Sequence, residues 1–329
     1  MRELAISAAD VREAARRLSS VAVRTPLLEY ASLNERAGAR VLVKFEGAQH
    51  AGSFKFRGAY NRLSRLTPDE RRAGVVAWSS GNHAQGVAAA ARVVGTKATI
   101  VMPSDAPAIK LANTRALGAE VVLYDRQTQS REEIATALSR GRGAVLVPSF
   151  DDPFIIAGQG TVGLEALEDA RAMGADPRRV LVCCGGGGLV AGIATAVRDV
   201  DPRIAVHSVE PADFDDTARS LHSGRREDVA AGAASICDAL LAPSPGKLTF
   251  PINRALLSEG LTVTDAQVRE AMRFAFASMK LVVEPGGAVA LAAVLAGRCP
   301  TVDDGDLLVI VSGSNVDPDL FSEIIQEAA

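Results

Sequence analysis

Val180-Leu-Val-Cys-Cys-Gly-Gly-Gly-Gly-Leu-Val-Ala-Gly-Ile-Ala-Thr-Ala-Val197 runs for eighteen residues without a charge, about the length a membrane-crossing helix needs. Four consecutive glycines in its middle, Gly185, Gly186, Gly187 and Gly188, argue against a helix there. The stretch therefore reads as a buried strand, a glycine loop and the start of a helix, the unit from which α/β proteins are assembled. Short runs rich in Val, Ile and Leu recur on both sides of it, at 41–45, 75–78, 98–102, 121–124, 144–147, 204–209 and 307–311. Helix-length segments with apolar residues every three or four positions separate them. That alternation predicts an α/β fold of mostly parallel sheets flanked by helices, with ligands at the carboxyl ends of the strands. Two groups of such units predict two lobes, a small one over residues 64–151 and a large one made of residues 1–63 and 152–329.

Composition narrows the function. The 329 residues are 48% hydrophobic, 23% charged and 4% aromatic, which describes a globular chain of about two domains and excludes disorder, collagen and small disulfide scaffolds. A formal net charge of −3 and the absence of a polybasic tail point away from nucleic acid and anionic membranes and towards a small-molecule partner. The four cysteines, Cys183, Cys184, Cys237 and Cys299, form no CxxC pair and show no zinc-like spacing. They are expected to be reduced and buried, as in the cytoplasm. The N-terminus lacks the apolar core of a signal peptide and predicts instead an amphipathic helix opened by Ser7, with Asp10 three residues on.

Several segments carry candidate chemistry. Gly52-Ser53-Phe54-Lys55-Phe56-Arg57-Gly58-Ala59 sets a lysine between two phenylalanines, and lysine is scarce here, six among thirty-six basic residues. A lysine in apolar surroundings loses proton affinity and serves as an amine nucleophile or base, which arginine does not; locally, a solvated lysine at a helix start is the plainer alternative. Ser79-Ser80-Gly81-Asn82-His83-Ala84-Gln85-Gly86 follows a strand and opens an alanine-rich helix, so it presents hydroxyls, an amide and helix N-terminal backbone amides to a ligand. A helix cap by Ser80 or Asn82 is the alternative there. The glycine loop followed by Leu189 lets backbone amides close around an anion, most often phosphate. Gly186, Gly188 and Ala191 also fit GxGxxA with Glu210 ending the next strand, which keeps a dinucleotide site open. Glu210-Pro-Ala-Asp213-Phe214-Asp215-Asp216 is either a solvated acidic loop or a divalent-cation site, and Ser312-Gly313-Ser314-Asn315 ends the last strand run.

Taken in order, Lys44-Phe-Glu46-Gly47-Ala-Gln49, GSFKFRGA, SSGNHAQG, the four glycines and SGSN resemble the fold type II pyridoxal-phosphate enzymes over roughly Thr25 to Asp317. The branch they resemble holds serine/threonine dehydratases, serine racemases and 3-hydroxyaspartate dehydratases. The resemblance implies a two-lobed fold with pyridoxal 5'-phosphate between the lobes and a Schiff base from Lys55 to its aldehyde. It also implies phosphate in the loop of residues 185–188 beside Leu189, Phe54 flanking the ring, Asn82 on the ring hydroxyl and Ser312 at the pyridine nitrogen. Residues 79–83, Ser79, Ser80, Gly81, Asn82 and His83, are implied to receive the substrate. Ser80 matches the branch in which a serine faces the lysine across the substrate as a second acid or base. Arg131 aligns with an arginine that resembles a distal-carboxylate contact, a role its two parallel hydrogen bonds suit. Glu210, the Phe214 carbonyl and Asp216 match divalent-cation positions, for magnesium or calcium. The chain departs from the pattern where Gly47 replaces an asparagine and Ser314 replaces the second glycine of the usual SGGN turn.

The expectation is a cytoplasmic, homodimeric dehydratase releasing ammonia and a 2-oxo acid from a small β-hydroxy amino acid, 3-hydroxyaspartate ahead of threonine or serine. A serine or aspartate racemase using Lys55 and Ser80 is the first alternative, and an NAD-dependent oxidoreductase the second. About a dozen residues follow Asp317, so the regulatory domain of biosynthetic threonine deaminases, and feedback inhibition by isoleucine, are not expected.

Overall fold

The computed structural model describes residues 4–106, 108–299 and 305–327. Among them the apolar runs become strands: β1 (Leu27–Glu29), β2 (Val41–Phe45), β3 (Val75–Trp78), β4 (Ala98–Pro103), β5 (Glu120–Tyr124), β6 (Val145–Leu146), β7 (Pro177–Cys183), β8 (Ala205–Pro211), β9 (Glu259–Val263) and β10 (Asp306–Val311). One sheet has the order β1-β2-β10-β7-β8-β9 and a second the order β5-β4-β3-β6. All pairings are parallel except that of β1 with β2. The expected strands all form, but β1 and β9 were not anticipated. Both are edge strands, half-exposed over most of their length, so neither needs the continuous apolar run that marks the buried centre of a parallel sheet.

The central strands of the larger sheet have that run. Leu308 to Val311 on β10 and Val180 to Val182 on β7 are completely buried between helix layers that include Pro153–Ala172, Gly188–Val200 and Pro285–Leu295. The first two of these helices approach closely enough that a Cβ on Gly192 would lie 2.6 Å from the Gly160 nitrogen. The N-terminal helix Ala8–Leu18 opens on the expected capping box between Ser7 and Asp10 and packs Val11 and Ala14 against Ile156 and Ala157.

Helix Lys55–Leu63 decides where the site lies. Its Phe56, Ala59 and Leu63 belong to the core of the smaller sheet, together with Val75, Ile100 and Met102. Phe54, one residue before the helix, packs into the core of the larger sheet. Lys55 thus stands where the two cores meet, with the carboxyl ends of β3, β7 and β10 opening towards it.

Candidate active site

The backbone at Lys55 is held from several directions. The Phe54 amide donates to the Ser312 carbonyl at 3.1 Å, Ser53 bridges Gly313, and helix Asn82–Val94 comes so close at Gly86 that a Cβ there would sit 2.9 Å from the Lys55 carbonyl carbon. Two residues on, the fully buried Arg57 grips Glu46 through Nε and Nη2 at 2.7 and 2.8 Å, and Glu165 through Nη1 and Nη2 at 2.7 and 2.8 Å. The Lys55 ammonium donates to the Ser149 carbonyl at 3.0 Å and lies 5.1 Å from the centre of the Phe54 ring. Burial pulls its pKa from 10.5 down to about 8, against the smaller upward pull of Cys183 and Glu284. This is the environment in which a lysine becomes a nucleophile and base near neutral pH, and it sets aside the solvated-lysine alternative.

One cleft of about 600 Å³ gathers Phe54, Lys55, residues 79–83, Arg131, residues 185–189 and Ser312. Helix Asn82–Val94 begins with Gly81 at its N-cap and has no side-chain cap, so neither Ser80 nor Asn82 spends its side chain closing the helix. Asn82 instead donates through Nδ2 to Glu284 at 2.5 Å and accepts at Oδ1 from Asn315 at 2.7 Å. An amide nitrogen carries two hydrogens, so one remains for a ligand. His83 donates from Nε2 to the Val147 carbonyl at 2.9 Å, which leaves the buried Nδ1 as an unpaired acceptor. Burial, reinforced by Lys55, pushes its pKa down to about 3, so the ring is neutral.

Across the cleft, β7 runs into the glycine loop, and helix Gly188–Val200 starts there with Gly187 in the left-handed region and no side-chain cap. Side chains are excluded because a Cβ on Gly186 would overlap the Phe150 ring, and one on Gly187 would sit 2.6 Å from the Asn253 amide. What remains is a concavity of bare amides at a helix N-terminus, a receptor for phosphate. The Ser312 hydroxyl pairs with the Cys183 thiol, whose pKa burial raises to about 11, and Ser312 also lines the cleft. An uncharged hydroxyl there can donate to a pyridine nitrogen without protonating it.

Glu284 was not foreseen. It is the N-cap residue of Pro285–Leu295, buried, and reaches the cleft between Asn82 and Lys55. Burial first and Asp238 second raise its pKa to about 7. In the sequence it is only an acid directly before a proline-led apolar helix, Glu284-Pro285-Gly286-Gly287, which sets it apart from no other helix start.

The acidic loop lies apart, since Glu210, Phe214 and Asp216 do not line the cleft. Both Glu210 oxygens accept backbone amides of helix Asp216–Ser223, from Thr217 at 3.0 Å and Ala218 at 2.8 Å. The dinucleotide-site reading that included Glu210 is therefore withdrawn, because both its oxygens accept from the protein's own helix. Burial raises the pKa of Glu210 well above the carboxylate range and that of Asp216 to about 7, and Asp216 Oδ2 is buried without a partner. Among the described residues no group of three or more His, Cys, Asp or Glu side chains stands at metal-binding spacing.

The two departures from the family pattern explain each other. A Cβ on Gly47 would overlap the Ser314 hydroxyl and come within 2.6 Å of the Phe45 ring, while that hydroxyl donates to the Val282 carbonyl at 2.7 Å. Serine at 314 occupies the space that an asparagine at 47 would need.

Comparison with known proteins agrees with this geometry. The chain is 44% identical to an L-threo-3-hydroxyaspartate ammonia-lyase of Pseudomonas sp over 96% of its own length and 98% of the relative's. It is 39% identical to an L-threonine ammonia-lyase of Thermotoga maritima, over 98% of this chain and 79% of that one. The crystal structure of maize serine racemase superposes with a TM-score of 0.91 at 35% identity, covering 97% and 96% of the two chains. The family profile described as pyridoxal-phosphate dependent enzyme matches residues 18–313, a span that takes in Lys55, the bare glycine loop and Ser312, and by that match the chain belongs to the pyridoxal-phosphate-dependent enzymes, with the fold type II architecture.

Proposed function

We propose that the protein is a 3-hydroxyaspartate ammonia-lyase, eliminating the β-hydroxyl of the amino acid and releasing a 2-oxo acid and ammonia. The observation that carries the substrate assignment is Arg131. It lines the cleft as the first residue of helix Arg131–Arg142, where the helix dipole disfavours a cation, and it has no hydrogen bond or ion pair to any described residue. A distal carboxylate is a fitting partner for this exposed, unpaired guanidinium. The Pseudomonas relative's stated substrate agrees with this reading.

The residues present fit pyridoxal phosphate: the uncapped glycine loop would take its phosphate, Lys55 its aldehyde, the spare Asn82 hydrogen its ring hydroxyl and Ser312 its pyridine nitrogen, with Phe54 and Leu189 beside it. When bound, the cofactor supplies an aldehyde that condenses with amino groups and an electron sink for the bond broken at Cα. Ser79, Ser80, Gly81 and the amides of Asn82 and His83 receive the α-carboxylate at the start of their helix. Lys55, poised near neutrality, takes the Cα proton. The Ser80 hydroxyl lines the same cleft and in this reading would hold a proton for the other face, which also supports the racemase as the second reading. Inverted amino acid in place of 2-oxo acid would identify it.

Arg131→Ala is expected to lower kcat/KM for hydroxyaspartate relative to threonine by about tenfold or more, the worth of a charge-assisted contact. An unchanged ratio would reject the assignment. The reading further includes a magnesium or calcium ion at Glu210, the Phe214 carbonyl and Asp216, which would partner the orphaned Asp216 oxygen and hold two buried carboxylates together. Exhaustive chelation should then lower the melting temperature, and an unchanged one would rule the ion out. Residues 64–151 are proposed as the small lobe. A cytoplasmic homodimer completes the proposal, supported by four free cysteines and by the exposed Phe276 and Val282, with Phe276 edge-on to Phe321.

A further inference from the structure

Lys110 lies on helix Ala108–Ala116, outside every motif that marked the site, yet it lines the same cleft as Lys55 and Arg131. Its side chain is 12% exposed and its ammonium is paired with Asp238, on the short turn Asp238–Leu240 across the cleft. Asp238 is less enclosed, its side chain 48% exposed. Both charges act on the buried Glu284, Asp238 raising its proton affinity and Lys110 lowering it, as does Lys55. The pair therefore lies within electrostatic reach of Glu284, on the cleft that also holds Lys55.

We propose that Lys110 is a second receptor for the substrate's distal carboxylate, and that Asp238 is the protein's own carboxylate holding that place until substrate arrives. The inference rests on the dicarboxylate reading of the substrate. Its chemistry is an exchange of one carboxylate for another on the same ammonium, without net transfer of charge. The half-exposed Asp238 regains water when it releases Lys110, whereas the enclosed Lys110 needs a carboxylate in its place. A substrate carboxylate on the enclosed Lys110 ammonium, with Arg131 on the same cleft, gains a charge-assisted contact. A β-hydroxy amino acid that ends in a methyl group, such as threonine, displaces nothing and leaves Asp238 on Lys110.

The test uses the cofactor-loaded enzyme and reads two quantities, kcat/KM for 3-hydroxyaspartate against threonine, and calorimetric affinity for succinate against butyrate. Lys110→Met is expected to reduce the hydroxyaspartate-to-threonine ratio, and the succinate-to-butyrate affinity ratio, by about tenfold or more. Asp238→Asn removes the competing carboxylate and is expected to move both ratios the other way. If Lys110→Met lowers action on both substrates equally and leaves the succinate ratio in place, Lys110 is a structural tie and the inference is overturned. If Asp238→Asn lowers the ratios as Lys110→Met does, the exchange is overturned. Failure of the dicarboxylate reading is distinguished because the wild-type enzyme would then prefer threonine, and butyrate would bind as well as succinate.

Discussion

Gly47 and Ser314 are 267 positions apart in sequence and share one small volume. Gly47→Asn alone should destabilise by about 1–3 kcal/mol, the usual cost of overpacking, because the new side chain meets the Ser314 hydroxyl and the Phe45 ring. Combined with Ser314→Gly, part of that loss should return. Denaturant unfolding of the two single variants and the double variant would show a coupling of about 0.5 kcal/mol or more; strict additivity would mean the two positions are independent. At Lys55 the prediction concerns protons. In cofactor-free protein its amine should react with an acylating reagent along a curve centred near pH 8 rather than 10.5, followed by mass spectrometry of the Lys55 peptide. The sign for stability follows: the unfolded chain binds more protons between about 8 and 10.5, so this group's contribution rises with pH across that window and is least favourable below it. A curve centred near 10.5 would contradict the burial that defines the site. Lys55, Asn82 and Ser312 were legible in the sequence because each lies inside a short pattern of unusual residues. Glu284 and Lys110 were not, because each sits at the start of, or within, an ordinary helix and acquires its meaning only from what stands across the cleft.

Among the elements, helix Lys55–Leu63 does most to connect fold and site. It has no side-chain cap and no acid in its first turn, so its start is fixed by tertiary contacts. Arg57 joins it to Glu46 after β2 and to Glu165 on the helix Pro153–Ala172, while Lys44 ties Glu165, Asp169 and the Thr25 carbonyl into the same network. Breaking such a buried group by removing one partner strands the other charge. Arg57→Ala should therefore cost about 3–5 kcal/mol in urea unfolding, and a loss within about 0.5 kcal/mol, the ordinary range for surface changes, would show the network to be dispensable. The central strands were legible because parallel strands buried on both faces carry unbroken Val, Ile and Leu. Strands β1 and β9 escaped because an edge strand can be short and mixed, as Leu27–Glu29 and Glu259–Val263 are. The helix caps considered for Ser80 and Asn82 do not form because Gly81 takes the N-cap position; both residues line the cleft, where the Asn82 side chain pairs with Glu284 and Asn315.

At the scale of the molecule, two sheets with separate apolar cores put the carboxyl ends of β3, β7 and β10 around one cavity, and the lysine enters where the cores meet. This arrangement was legible as a class, from alternating strands and helices and from the order of the motifs. The identity of the substrate was less so, because a single arginine at a helix start looks like any exposed arginine until its side is known. With Arg131 on the cleft and Lys110 facing Asp238, the cavity presents cations besides Lys55, which suits a substrate carrying a second carboxylate. The most direct measurement is the release of ammonia and 2-oxo acid by the purified, pyridoxal-phosphate-loaded protein from serine, threonine and each stereoisomer of 3-hydroxyaspartate, side by side. The account predicts that one hydroxyaspartate isomer is turned over with the highest kcat/KM. Preference for threonine or serine, or inversion without ammonia release, would contradict it.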